Sequence, residues 1–270
     1  MITLNFGLYW SGAPLSYLRY LTFKTLRHFH PRSRIQLFTS KFDKNKKRDY
    51  TGCPRQEYIN PGKIQKDYLP KLKDLGIEIV FIKLDDKYLP FQQADIYRWS
   101  FLKHHGGIYL DPDQIILRSF EDLPLKKYEF LYSSYKVNSK YALNGEFSPI
   151  GVLGASLKSK VVHYVDNRLM QYMAHQNYNA LGVLMMEDVK NKIDMTEGFN
   201  APSQYFYPAP ICDYMDDIFN GKLDFKKDNY ACHWYGGFEP SQVFNEKYTE
   251  EFAKISNDTI SKYLREKKLL

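Results

Sequence analysis

Asp95, Arg98, Asp111 and Asp113 are the residues whose types and spacing could do chemistry in this chain. Asp95, Arg98 and Leu102 stand at i, i+3 and i+7, along one stripe of a helix. Gly106 and Gly107 follow, and a left-handed helix cap asks for a residue without a Cβ, so the helix is expected to stop there. Ile108, Tyr109 and Leu110 form a compact apolar run of strand character. In extended chain Tyr109, Asp111 and Asp113 point one way, while Ile108 and Leu110 point the other. Pro112 fixes its own φ and keeps Asp111 extended. The expected outcome is two carboxylates at a strand's C-terminal end, beside a helix carrying an acid and an arginine. Such a group can hold a divalent cation and a phosphorylated ligand together. An acid-x-acid triplet alone is commonly a solvated turn; here the glycines, the strand and the charged stripe constrain where the acids point.

The elements that must position these residues alternate. Ile2 to Trp10 reads as an opening strand, Pro14 to Phe29 as a helix, and Arg34 to Thr39 as a second strand. Residues 41–75 are polar and irregular, with short helical pieces expected, and Ile77 to Ile82 reads as a third strand. This rhythm predicts an α/β fold with a mostly parallel central sheet, right-handed crossovers and flanking helices. Ligands in such sheets sit at the C-terminal strand ends near a switch point, where Trp10 and Asp111 to Asp113 would both lie. After Gln114 the pattern loosens. Strands are expected over Glu129–Ser133, Pro149–Leu153, Gln204–Pro208 and Asn229–His233, an amphipathic helix over Lys160–Met173, and a terminal helix over Lys247–Leu270. Tyr214-Met215-Asp216-Asp217 spells the acidic motif of a polymerase palm, but Met215, Ile218 and Phe219 fit an amphipathic helix. No internal repeat or low-complexity segment is visible.

The string Asp95-x-x-Arg98-x-x-x-Leu102-x-x-x-Gly106-Gly107-x-Tyr109-x-Asp111-x-Asp113 resembles the signature of DXD-motif glycosyltransferases of the family 32 type. These are retaining enzymes of the GT-A fold, related to the catalytic region of glucosylating toxins and to capsular polysaccharide sugar transferases. The resemblance implies one GT-A-like domain over residues 1–270. Residues 1–118 would be its nucleotide-sugar half, 119–246 an acceptor-side elaboration, and 247–270 a closing helix. It implies a catalytic set of Asp95, Arg98, Asp111 and Asp113, in which Asp95 holds donor-sugar hydroxyls and Arg98 holds sugar or phosphate. From the residues alone, Asp95 and Arg98 are also an intrahelical ion pair worth ~0.2–0.5 kcal/mol. Trp10, Tyr109 and Asp111 would join that pair in binding the nucleotide sugar. For Trp10 two places are open, stacking on a nucleobase or packing in the core. Asp113 and Asp111 would hold the metal, with His233 as the third ligand. A mixed imidazole and carboxylate set suits Mn²⁺, with Mg²⁺ as the alternative. Asn144 reads as a turn residue, with contact to donor or acceptor as its other role.

The function expected from this resemblance is transfer of a hexose from a nucleotide sugar, UDP-linked by preference, to a saccharide acceptor. The setting would be assembly of a bacterial surface polysaccharide, on an acceptor that can be lipid-linked. The alternatives are a toxin-like protein glycosyltransferase and a catalytically silent sugar-nucleotide-binding module.

Bulk properties fit. The chain has 270 residues, 44% of them hydrophobic and 16% aromatic, enough for a substantial core. No apolar run approaches a membrane span, and the first residues lack a basic n-region and a small-residue cleavage site. Cys53, Cys212 and Cys232 are odd in number and far apart, which suggests neither a disulfide framework nor a zinc site and fits a reducing cytoplasm. The net charge of +7 is concentrated in Lys41–Arg48 and Lys262–Lys268. Both read as solvated surface, and nucleic acid is not an expected partner. The second run could lay a basic C-terminal helix on anionic lipid at the inner face of the membrane, each Lys or Arg there contributing about 1 kcal/mol.

Overall fold

The computed structural model describes residues 1–11, 13–40, 66–83, 88, 90–136, 146–174, 180–209, 215–237 and 239–270. Lys41–Arg48, Cys53, Asn144, Cys212 and Tyr214 lie outside the described residues.

The first half follows the alternation expected of it: β1 (Phe6–Trp10), α1 (Tyr17–Phe29), β2 (Ile35–Thr39), β3 (Glu78–Phe81), α2 (Pro90–His105), β4 (Gly107–Leu110) and β5 (Gln114–Ile116). Ser16 caps α1, its hydroxyl accepting the Arg19 N–H. The second half contains β6 (Phe130–Tyr132), β7 (Tyr135–Lys136), β8 (Glu146–Phe147), β9 (Val152–Ala155), α3 (Lys160–Asp166), α4 (Leu169–Ala174), α5 (Met185–Lys192), β10 (Gly198–Asn200), α6 (Met215–Asn220), β11 (Ala231–His233), α7 (Glu239–Lys247), α8 (Glu250–Ile255) and α9 (Thr259–Glu266).

Seven strands form one sheet in the order β10-β6-β9-β4-β1-β2-β3. Within it β1–β2, β2–β3, β1–β4 and β6–β10 pair parallel, and β9 runs antiparallel to β4 and β6. The chain leaves β1 toward β2 and β3, then returns through β4 on the other side of β1. That reversal is the switch point, and β4 delivers Asp111 to its C-terminal edge. Both sheet faces are covered. Phe6, Leu8 and Trp10 face one core with Leu37 and Ile108, while Tyr9 faces the other with Phe38, Phe101 and Tyr109. Helix α2 lies so close on β1 that a Cβ at Gly7 would stand 2.6 Å from the Phe101 ring. At the turn from α2 to β4, Gly106 (φ +62°) and Gly107 (φ +92°) adopt the left-handed backbone expected of the glycine stop.

A second, two-stranded ribbon pairs β5 with β11 antiparallel and sets Gln114 opposite His233. It packs on a third core with Ile115, Cys232, Trp234, Ile260, Tyr263 and Leu264.

Five sequence expectations need correction. The opening strand expected over Ile2 to Trp10 begins later, at Phe6. The helix expected over Lys160–Met173 is α3 and α4, broken where the Arg168 N–H takes the Val165 carbonyl at 2.9 Å. The terminal helix expected over Lys247–Leu270 is α8 and α9, because Thr249 and Asp258 each cap a new start. Its apolar face is also spent, since Ile260, Tyr263 and Leu264 are buried against the ribbon, so a helix lying on lipid could present only its basic side. Gln204–Pro208 is a 3₁₀ turn (Ser203–Tyr205) and not a strand, although Tyr205 and Phe206 carbonyls accept the N–H groups of Tyr230 and His233. The segment expected as a strand over Pro149–Leu153 begins later, at Val152. No helix among the described residues is long and apolar enough to cross a membrane.

Candidate active site

The bend after β4 is clamped from three directions. The Asp111 N–H donates to the Gly151 carbonyl at 2.8 Å, and the Trp234 N–H to the Asp113 carbonyl at 3.0 Å. Thr22 on α1 donates its hydroxyl to the Pro112 carbonyl at 3.0 Å. Asp-Pro-Asp is therefore no free turn. Its two carboxylates are aimed to different partners.

Asp111 faces α2. One nitrogen of the Arg98 fork donates to Asp111 Oδ1 at 2.7 Å and the other pairs with Asp95 Oδ1. The Tyr109 ring lies beneath the guanidinium, 4.8 Å from centroid to carbon. Arg98 is only 4% exposed, so one buried cation serves two acids. Burial raises the Asp95 pKa to about 6 although the Arg98 charge opposes it. Arg98 moves the other way: burial would lower it, but Asp111 and Asp95 hold it well above its ordinary value.

Asp113 faces β11. Its Oδ1 lies 2.8 Å from His233 Nε2, and its Oδ2 accepts the Gly236 N–H at 2.7 Å. Burial pushes the Asp113 pKa up, but His233, Arg19 and the Gly236 N–H outweigh it and leave the carboxyl below its usual value. Asp111, Asp113 and His233 each offer an atom within 4.8 Å of the others. Two carboxylates and an imidazole are a donor set that fits a divalent cation.

Asp95, Arg98, Tyr109, Asp111, Asp113 and His233 thus converge on one edge of the sheet. Trp10 takes the core place of the two left open by its sequence. It is 5% exposed, its indole N–H donates to the Ala13 carbonyl at 2.6 Å, and the Arg19 guanidinium covers its ring at 4.6 Å. Leu102 is likewise core.

Four neighbours were not found from sequence. Arg19 is held between the Trp10 and Trp234 rings, at 4.6 and 5.1 Å. Tyr207 stands edge-on to the His233 ring and accepts the Val152 N–H. Gly151 borders Asp111 and His233, and Gln114 is fully buried beside them. Only Gln114 left a signal, as a polar residue opening the apolar run Ile115–Leu117.

Residues 19–131 match the family described as the glycosyltransferase sugar-binding region containing DXD motif. The likeness is to a DXD-type glycosyltransferase sugar-binding region. It reaches from α1 through Arg98, Asp111 and Asp113 to β6. An uncharacterized glycosyltransferase, L373 of Acanthamoeba polyphaga mimivirus, is 31% identical over 145 residues, 50% of this chain and 55% of the relative. The chain therefore spans about half the length of that curated relative. Among solved structures, the glycosyltransferase GlyE of Streptococcus pneumoniae TIGR4 superposes with a TM-score of 0.50 at 13% identity, covering 100% of this chain and 64% of GlyE. The PaToxG glycosyltransferase covers 71% of this chain and 70% of its own at 18% identity and a TM-score of 0.49. At such identities the likeness to GlyE shows the fold, which is of the GT-A type.

Proposed function

We propose that this chain is a metal-dependent, retaining glycosyltransferase that moves a hexose from a UDP-linked donor to a saccharide acceptor, in assembly of a bacterial surface polysaccharide. The observation that carries the reading is the convergence of Asp111, Asp113 and His233 within 4.8 Å, beside a buried Arg98 that ties Asp111 to Asp95.

A divalent cation held by Asp111, Asp113 and His233 would neutralise the charge that develops on a departing diphosphate. The chain's own residues supply the rest. Asp113 is the firmest ligand, because the Gly236 N–H and the backbone clamp fix its orientation. Asp95 is placed as an acceptor for donor-sugar hydroxyls. Both terminal nitrogens of Arg98 are committed to carboxylates, so Arg98 acts as a positioning residue that holds Asp95 and Asp111 in register. No protein nucleophile enters, in keeping with attack on the leaving-group face. The half of the chain after residue 118 is assigned the acceptor.

The test is Mn²⁺-dependent hydrolysis or transfer of a UDP-hexose by the native chain and by Asp113→Asn. Loss of about two orders of magnitude or more, with the fold intact by circular dichroism, is expected from removal of a ligand carboxylate that stabilises the transition state. Unchanged turnover would sink the assignment.

A further inference from the structure

Gln114 opens β5 directly after the acid pair, yet it is 0% exposed. Among the described residues, neither atom of its amide has a hydrogen-bond partner. A buried amide left unpaired is unfavourable, and an apolar side chain of the same shape would avoid that penalty. The residue therefore carries two unmet bonds that local packing does not ask for.

Its position says what could meet them. Gln114 stands directly opposite His233 across the β5–β11 ribbon, and such cross-strand pairs share a face. The point where a Cβ would stand on Gly151 lies 3.1 Å from Asp111 Oδ2, 3.2 Å from Gln114 Nε2 and 3.4 Å from His233 Cε1. The amide thus borders the same small space as two of the three proposed cation ligands. His233 has an unmet bond too: with Nε2 toward Asp113, its buried Nδ1 has no partner among the described residues. Histidines that bind a metal through one nitrogen regularly donate the other N–H to an acceptor, which fixes the tautomer and the ring plane.

We propose that Gln114 is a positioning residue for a divalent-cation site: its amide oxygen accepts the His233 Nδ1–H and its NH₂ steadies the Asp111 carboxylate when the cation is held. This rests on the reading of Asp111, Asp113 and His233 as cation ligands. Gly151 fits the same account, because any side chain there would fill the space that the amide and the ligands share. The amide's unmet bonds then have a purpose that appears only in the cation-bound protein.

The experiment titrates the full chain with Mn²⁺, following free Mn²⁺ by electron paramagnetic resonance, and records the thermal midpoint of the metal-free protein. Native chain, Gln114→Met and Gln114→Leu are compared. Loss of a ligand's partner is expected to weaken Mn²⁺ binding by about 10–100-fold. The metal-free midpoint should stay or rise, since two unpaired polar atoms have been removed. A merely structural glutamine would give the opposite sign, a lower midpoint. Native-like Mn²⁺ affinity in both variants, or weaker binding accompanied by a lowered midpoint, would overturn the role of Gln114. Failure of the native chain to bind Mn²⁺ would instead remove the cation reading on which it rests, and the inference with it.

Discussion

Replacing Arg98 by methionine removes the one cation between two acids, and the cost should depend on pH in a particular way. Arg98 is 4% exposed, and its partners Asp95 and Asp111 are 12% and 23% exposed at their side chains. Breaking a buried ion pair from one side costs roughly 3–5 kcal/mol, a large share of the ~5–15 kcal/mol that holds a domain together. Asp95 sets the pH dependence. Its folded pKa of about 6 lies above the ordinary 3.8, because burial outweighs Arg98. A carboxyl raised in this way makes the native chain lose stability as pH rises from about 4 to about 6, and nothing more beyond. Without Arg98 the pKa climbs further, so the falling limb continues above pH 6 at roughly 1.4 kcal/mol per pH unit. The deficit of Arg98→Met, measured by urea unfolding, should therefore widen by roughly 1–3 kcal/mol between pH 6 and pH 8. Adding Asp95→Asn should shrink the widening. An equal deficit at both pH values, or a widening that Asp95→Asn leaves untouched, would refute the claim that this guanidinium offsets the burial of Asp95.

Two further outcomes follow from the frame. His30 is 1% exposed between Phe6 and Phe120, and burial lowers its pKa from 6.5 to about 4. Its contribution is complete above pH 6.5 and is lost as pH falls toward 4, roughly 3 kcal/mol in all, and His30→Gln should flatten that limb of a pH–stability curve. At Gly107 (φ +92°) a Cβ would stand 2.4 Å from the Asn5 carbonyl oxygen, whereas at Gly76 (φ +65°) nothing lies within 4 Å. Gly107→Ala is expected to cost roughly 2–4 kcal/mol in denaturant unfolding and Gly76→Ala only about 1.

The first half of the chain was legible because its signals are local. Alternating strands and a helix, a glycine stop and the acid pair each depend on a few consecutive residues, and all reappear as β1 to β4 with Asp95, Arg98, Asp111 and Asp113 on one edge. His233 could be singled out only by its strand end and the glycines after it. The distance to Asp113 is a product of the β5–β11 ribbon, a pairing between segments more than a hundred residues apart. β5 itself was missed, since three residues after a proline carry too little pattern. The apolar spacing over 160–173 and 247–270 runs straight through the breaks between helices, and only the cap at Asp258 marks where a new helix begins. Trp10 shows the limit of a strand-end argument. The Arg19 guanidinium that covers its ring comes from the next helix, which no spacing within β1 reveals.

The nitrogen of His233 is the most direct signature of the proposed cation site. Electron spin-echo envelope modulation on the native chain with one equivalent of Mn²⁺ should show coupling to one imidazole nitrogen, absent in His233→Ala. Bound Mn²⁺ with no nitrogen coupling, or a coupling that persists in His233→Ala, would contradict the site built from Asp111, Asp113 and His233.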